Sequence, residues 1–157
     1  MDNNFNNNNN YNTNNNVYYQ NNFSRYYMKT DRSVLTFVLL TIVTCGIYSF
    51  IFFTSLANDL NIAATGRDGK KTMNYCLMVI ILNPITCGIA SYIWFHKMSE
   101  RVGEEAVARG IKTDFGATTF WIWYVLGSMI IVGPFIYMNE LCMAMNRIAM
   151  SYNTYGR

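Results

Sequence analysis

The sequence predicts an all-α integral membrane protein: a helical bundle of about three transmembrane helices with amphipathic extensions. Three observations predict it. Three windows contain no Asp, Glu, Lys, Arg or His: 26 residues between Arg32 and Asp59, 24 between Lys71 and His96, and 25 between Asp114 and Glu140. Hydrophobic residues make up 52% of the chain and charged residues 13%, where soluble domains carry roughly 25% charged residues. Each window exceeds the about 20 helical residues that cross a hydrocarbon core ~30 Å thick. Three such windows in 157 residues leave too little polar sequence to cover them in water, which argues against a soluble globular domain. A mean hydropathy of only +0.08 hides this, because it averages the windows with a polar beginning.

Residues 1–24 form that beginning. Thirteen of the first 22 residues are asparagine, and Asp2 is their only charge. Such a segment buries too little apolar surface to offset its ordering entropy, so a disordered tail is expected. It reads as a neutral spacer, with a self-associating tail as the sharper alternative. Residues 25–153 form the expected helical membrane domain, with spans at about 33–58, 72–95 and 115–139, and 154–157 a short C-terminal tail. Tyr26, Tyr27, Lys29 and Arg32 resemble an interfacial anchor ahead of the first span.

Each window continues into an amphipathic stretch. Leu56 and Leu60 follow the first. Met98, Val102 and Ala106 follow the second, opposite Arg101, Glu104, Glu105 and Arg109. Leu141, Met145, Ile148 and Tyr152 follow the third, at helical spacing. Such stripes lie in a membrane interface or pack on a neighbouring helix. The connectors, Asn61 to Lys71 and Gly110 to Asp114, carry turn-forming Thr65-Gly66 and Asp68-Gly69. No cleavable signal peptide is expected, because the first apolar stretch follows a polar tail.

The most specific feature is an internal repeat. Val43-Thr44-Cys45-Gly46-Ile47 returns 42 residues later as Ile85-Thr86-Cys87-Gly88-Ile89, and Gly133 gives a degenerate third copy. On a continuous helix Thr41, Cys45 and Ser49 share one face, and Asn83, Cys87 and Ser91 are their equivalents. Membrane helices associate through small-residue stripes that let backbones approach closely. These residues, with Gly46, Gly88 and Gly133, are therefore the expected helix-packing motif. They face each other, a second copy of the chain, or another membrane protein. Pro84 and Pro134 read as kinks. Freed carbonyls at such breaks also build ion sites in transporters, but no ionisable residue lies inside a window.

The repeated Thr-Cys-Gly-Ile motif, with Arg32-Ser33, Tyr48, Asn61, Trp94, Asn146 and Tyr152-Asn153, resembles the domain of unknown function 4234 family over roughly residues 31–153. The resemblance implies a small bacterial membrane protein and no particular activity. In the second copy Ala90 replaces the tyrosine at Tyr48.

Chemistry-bearing motifs are missing. His96 is the only histidine and sits at a window's edge. Glu104 and Glu105 are adjacent, so they point about 100° apart on a helix. Cys45, Cys76, Cys87 and Cys142 form no CxxC pair. Met138, Met143, Met145 and Met150 read as flexible packing. No enzyme, metal or cofactor is expected, and a net charge of +3 without a basic patch argues against nucleic acid. The expected partner is the lipid bilayer, in a bacterial inner membrane. Three spans would put seven Lys and Arg on the N-terminal side and five on the other, which favours a cytoplasmic N-terminus. A structural, assembly or binding role through helix packing follows. The alternative is a minimal channel or transporter built on the glycine and proline breaks.

Overall fold

Each charge-free window folds back on itself. The computed structural model describes residues 26–156, so the disorder expected of the Asn-rich tail lies outside the described residues. These are all helical in their regular structure. The first window forms α1 (Val34–Val43), a turn, and α2 (Ile47–Asp68). The second forms α3 over residues 75–85 and α4 (Ile89–Ala108). The third forms α5 over residues 117–130 and α6 (Gly133–Tyr155). Among the described residues no helix is long and apolar enough to cross a membrane. The expected continuous spans at 33–58, 72–95 and 115–139 are thus replaced by helical hairpins. Apolar length alone does not distinguish one long helix from two short ones.

Contacts across each turn fix the antiparallel arrangement. Phe37 of α1 lies 4.7 Å from Phe52 of α2, centroid to centroid. Tyr75 of α3 lies 5.0 Å from Trp94 of α4, whose indole donates to the Met73 carbonyl at 2.8 Å. Tyr124 of α5 lies 5.4 Å from Tyr137 of α6. The long helices α2, α4 and α6 all start at a turn and run the same way. Phe53, Phe95 and Tyr137, spaced by the 42-residue repeat, meet in one layer at 5.0 Å and 6.4 Å. The three hairpin tips therefore sit at one end of the molecule.

At the other end the amphipathic stretches pack on each other. Leu56, Leu60, Met98, Val102, Ala106, Leu141, Met145 and Ile148 are all fully buried. An extended strap over residues 26–33 crosses α6. Asn153 accepts from the Met28 N–H and donates to its carbonyl, both at 2.9 Å. Asn146 does the same for Arg32, at 3.0 and 2.8 Å. Two amides seven residues apart on one helix face thus satisfy the strap's backbone as a neighbouring strand would.

Both prolines have local explanations. Residues Met78–Leu82 widen into a π-helical turn, and the Asn83 N–H reaches back to the Met78 carbonyl. This wider turn relieves the clash that Pro84 makes with a preceding carbonyl. Pro134 sits in the first turn of α6, where a missing N–H costs no hydrogen bond.

The glycines divide into two kinds. Gly46 (φ +92°) and Gly88 (φ +91°) are left-handed, with open space where a Cβ would stand. Gly133 abuts Gly127: a Cβ on Gly133 would lie 2.3 Å from the Gly127 carbonyl carbon and the Trp123 carbonyl oxygen. Gly46→Ala and Gly88→Ala should each cost about 1–2 kcal/mol of left-handed strain. Gly133→Ala should cost at or above the upper end of the ~1–3 kcal/mol typical of overpacking. Thermal unfolding of the purified variants orders them; Gly46→Ala as damaging as Gly133→Ala would overturn the distinction.

Candidate functional site

The hairpin tips are built by the repeated motif. At the first, Cys45 (φ +50°) and Gly46 (φ +92°) are consecutive left-handed residues, and the Ile47 N–H donates to the Thr44 carbonyl at 3.1 Å. Two positive φ values inside such a turn define type I′, which demands a glycine or a tolerant small residue. The Thr44 hydroxyl donates to the Leu40 carbonyl at 2.7 Å and accepts from the Tyr48 N–H at 2.9 Å. One side chain thus ties the end of α1 to the start of α2. The second tip repeats this. Cys87 has φ +51°. Thr86 donates to Leu82 at 2.8 Å and accepts from Ala90 at 3.0 Å. At the third tip the left-handed residue is Ile131, φ +61°.

The tip surfaces are apolar. Val43, Ile85, Met129 and Ile131 are 77%, 75%, 87% and 78% exposed. The opposite end carries buried charge. Asp59 pairs with Arg32, and both side chains are almost wholly buried. Tyr26 adds a hydrogen bond to Asp59 at 2.8 Å. Arg101 reaches Asp68 at 2.7 Å and also donates to Thr72 at 2.8 Å. Asn61 holds Thr72 through both backbone groups, at 2.8 and 2.7 Å. Glu105 accepts from Arg67 at 2.8 Å and from Arg109 at 2.7 Å. These pairs link α2 to α4 and fix the 69–74 connector.

The expected packing motif is only partly one surface. Cys45 and Cys87 are exposed, and Gly46 and Gly88 contact nothing through their Cβ direction. They make turns, not a close helix approach. The stripe through Thr41, Cys45 and Ser49 assumed an unbroken helix, and the chain reverses inside it. Ser49 donates to the Gly46 carbonyl at 2.6 Å, Ser91 donates to Asn83 at 2.8 Å, and the buried Thr41 hydroxyl has no partner among the described residues. Gly133 alone makes a close backbone approach.

His96 accepts from the Trp121 indole at 3.1 Å. Among the described residues no three His, Cys, Asp or Glu are placed to hold a metal. Burial pushes the Cys142 thiol up to about 11 despite nearby Arg32, which leaves it protonated at neutral pH. The buried pairs were missed from the sequence; the one signal was an acid, Asp59, directly at a window's edge.

Removing one partner of a buried ion pair strands the other charge, at about 3–5 kcal/mol. Arg32→Met or Asp59→Leu alone should therefore destabilise more than the two together, and a double-mutant cycle by denaturant unfolding reads this. Asp68 gives a pH test. Burial opposes its charge, but Arg101 and the Lys70 N–H prevail and hold it below the ordinary carboxylate range. Its folded-state pKa is thus the lower one, so its contribution is present above the unfolded value and lost as pH falls through the folded value. Asp68→Asn should flatten that part of the acid stability profile.

Comparison with curated proteins and with solved structures finds no match. A family model described as a domain of unknown function (DUF4234) matches residues 32–104. The match starts at the buried Arg32, contains both Thr-Cys-Gly tips, and ends within α4; Asn146 and Tyr152-Asn153, part of the resemblance read from the sequence, lie outside it. The chain therefore belongs to the DUF4234 family, through residues 32–104.

Proposed function

We propose that this is a membrane-embedded protein with a structural, assembly or binding role, held by three hairpins that enter the lipid from one face. The observation that carries this reading is the segregation of its surface. Exposed large apolar side chains crowd the hairpins and their tips, while the buried ion pairs sit at the other end. Apolar surface on that scale marks a membrane or protein contact.

Dimensions support it. At 1.5 Å per residue the ten residues of α1 rise about 15 Å, roughly half of a ~30 Å hydrocarbon core. The first two turns satisfy their exposed carbonyls through Thr44 and Thr86, as lipid requires of buried backbone. Trp94 and Trp121, hydrogen-bonded to Met73 and His96, sit where apolar helix gives way to charged base, which suits aromatic residues at an interface. The described Lys and Arg residues all lie outside the windows. With hairpins they share one side, and the positive-inside tendency makes that side cytoplasmic in a bacterial inner membrane. A second copy or another membrane protein would pack on the hairpins' apolar faces.

Reporters fused at the two termini test the topology. Both should read the cytoplasmic side; termini on opposite sides would overturn the hairpin reading. Cys45 and Cys87 offer a depth test. A fluorophore on either should be quenched by lipids labelled within the acyl chains and not by a water-soluble quencher. Ile85→Asp or Ile131→Asp should weaken vesicle association, since an acid at membrane depth costs about 2.5–3.5 kcal/mol. Ion flux through liposomes carrying the protein would instead favour the channel or transporter.

A further inference from the structure

The face between α3 and α4 carries a groove of about 660 Å³, within the range of about 300–1,000 Å³ typical of ligand sites. It changes character along its length. Towards the tip it is lined by Met78, Leu82, Ala90 and Ile93. Trp94 lies midway, its indole held by the Met73 carbonyl. At the base the rim is Lys70, Lys71 and Lys97. All three lysines are exposed, and none forms an ion pair with a described residue.

The basic rim is built. Arg101 is buried beneath it and donates to Asp68, Thr72 and the Lys70 carbonyl. Asn61 clamps Thr72 from the other side. The connector is thereby held with Lys70 and Lys71 beside the groove. Glu100 and Glu104 also line this end, so selectivity depends on the unpaired lysines outweighing them. From Ala90 to Glu104 the groove follows α4 for about 21 Å. That is long enough for a phosphate headgroup at the base and acyl chain beyond it.

We infer that this groove binds an anionic phospholipid, with the phosphate among Lys70, Lys71 and Lys97 and an acyl chain against Met78, Leu82 and Ile93. The inference rests on the membrane reading above, and deepens it by giving the embedded surface a ligand. The lipid lies along α3 and α4 as a neighbour of fixed orientation. An empty apolar groove of this size inside a membrane would leave its lining without partner atoms.

The full chain, purified in detergent, is offered phosphatidylglycerol or phosphatidylcholine, and retained lipid is read by native mass spectrometry. Phosphatidylglycerol should be retained about tenfold or more over phosphatidylcholine, because each basic group near an anionic surface adds to affinity. The combined Lys70→Glu, Lys71→Glu and Lys97→Glu variant should lose that preference and still float with phosphatidylcholine vesicles. These side chains are exposed, so its thermal unfolding should match that of the parent. Equal retention of the two lipids by the parent, or an unchanged preference in the variant, would overturn the assignment. Inorganic phosphate is the competing source of the same chemistry. If millimolar phosphate displaces the lipid completely, the site is one for a free anion and the lipid assignment fails. Vesicle flotation separates the two ideas: a parent chain that does not float sinks the membrane reading, whereas one that floats without headgroup preference sinks only the groove.

Discussion

Two consecutive left-handed residues decide the shape of this molecule. A helix that meets Cys45 and Gly46, both at positive φ, cannot continue. The threonine before them completes the reversal, because its hydroxyl serves the carbonyl of the incoming helix and the N–H of the outgoing one. Lipid would penalise either group if left unpaired. With the reversal in place, α2, α4 and α6 must all start from one end. Their aromatic layer, their buried leucines and methionines and their ion pairs then stack in order away from the tips.

The base answers a different constraint. Its charges are buried, and buried charge is tolerated only when paired and hydrogen-bonded. Asp59 is met by Arg32 from the strap and by Tyr26. Asp68 and Glu105 are met by arginines across the α2–α4 contact or one helical turn away. These pairs add directionality that apolar packing lacks. They explain why a chain with so much exposed apolar surface has a single arrangement at its polar end.

Much of this was legible in the sequence, and the limits are physical. The charge-free windows located the hairpins, and the 42-residue repeat located the tips and the Phe53, Phe95 and Tyr137 layer. The amphipathic stretches gave the buried core at the base. Hydropathy could not show that each window reverses, because 26 apolar residues suit one crossing helix or two shorter ones. The expected packing stripe through Cys45 and Cys87 inherited that ambiguity. A four-residue spacing shares a face only while the helix persists. The ion pairs were hidden for another reason: Asp59 and Arg32 are 27 positions apart, and no local pattern announces such a pairing.

The asparagine clamps on the strap bear on the order of assembly. Asn153 grips the backbone of Met28 across 125 positions of sequence, and Asn146 grips Arg32 across 114. Loop closure over such separations comes late, after local contacts have formed. The first two hairpins can form as soon as they are synthesised. The strap cannot dock until α6 has emerged and folded. Until then Arg32 can reach Asp59, but its backbone has no partner on α6. The last helix to be made therefore acts as a latch on the first ordered segment, and a chain stalled before residue 146 would carry an unfastened N-terminal strap.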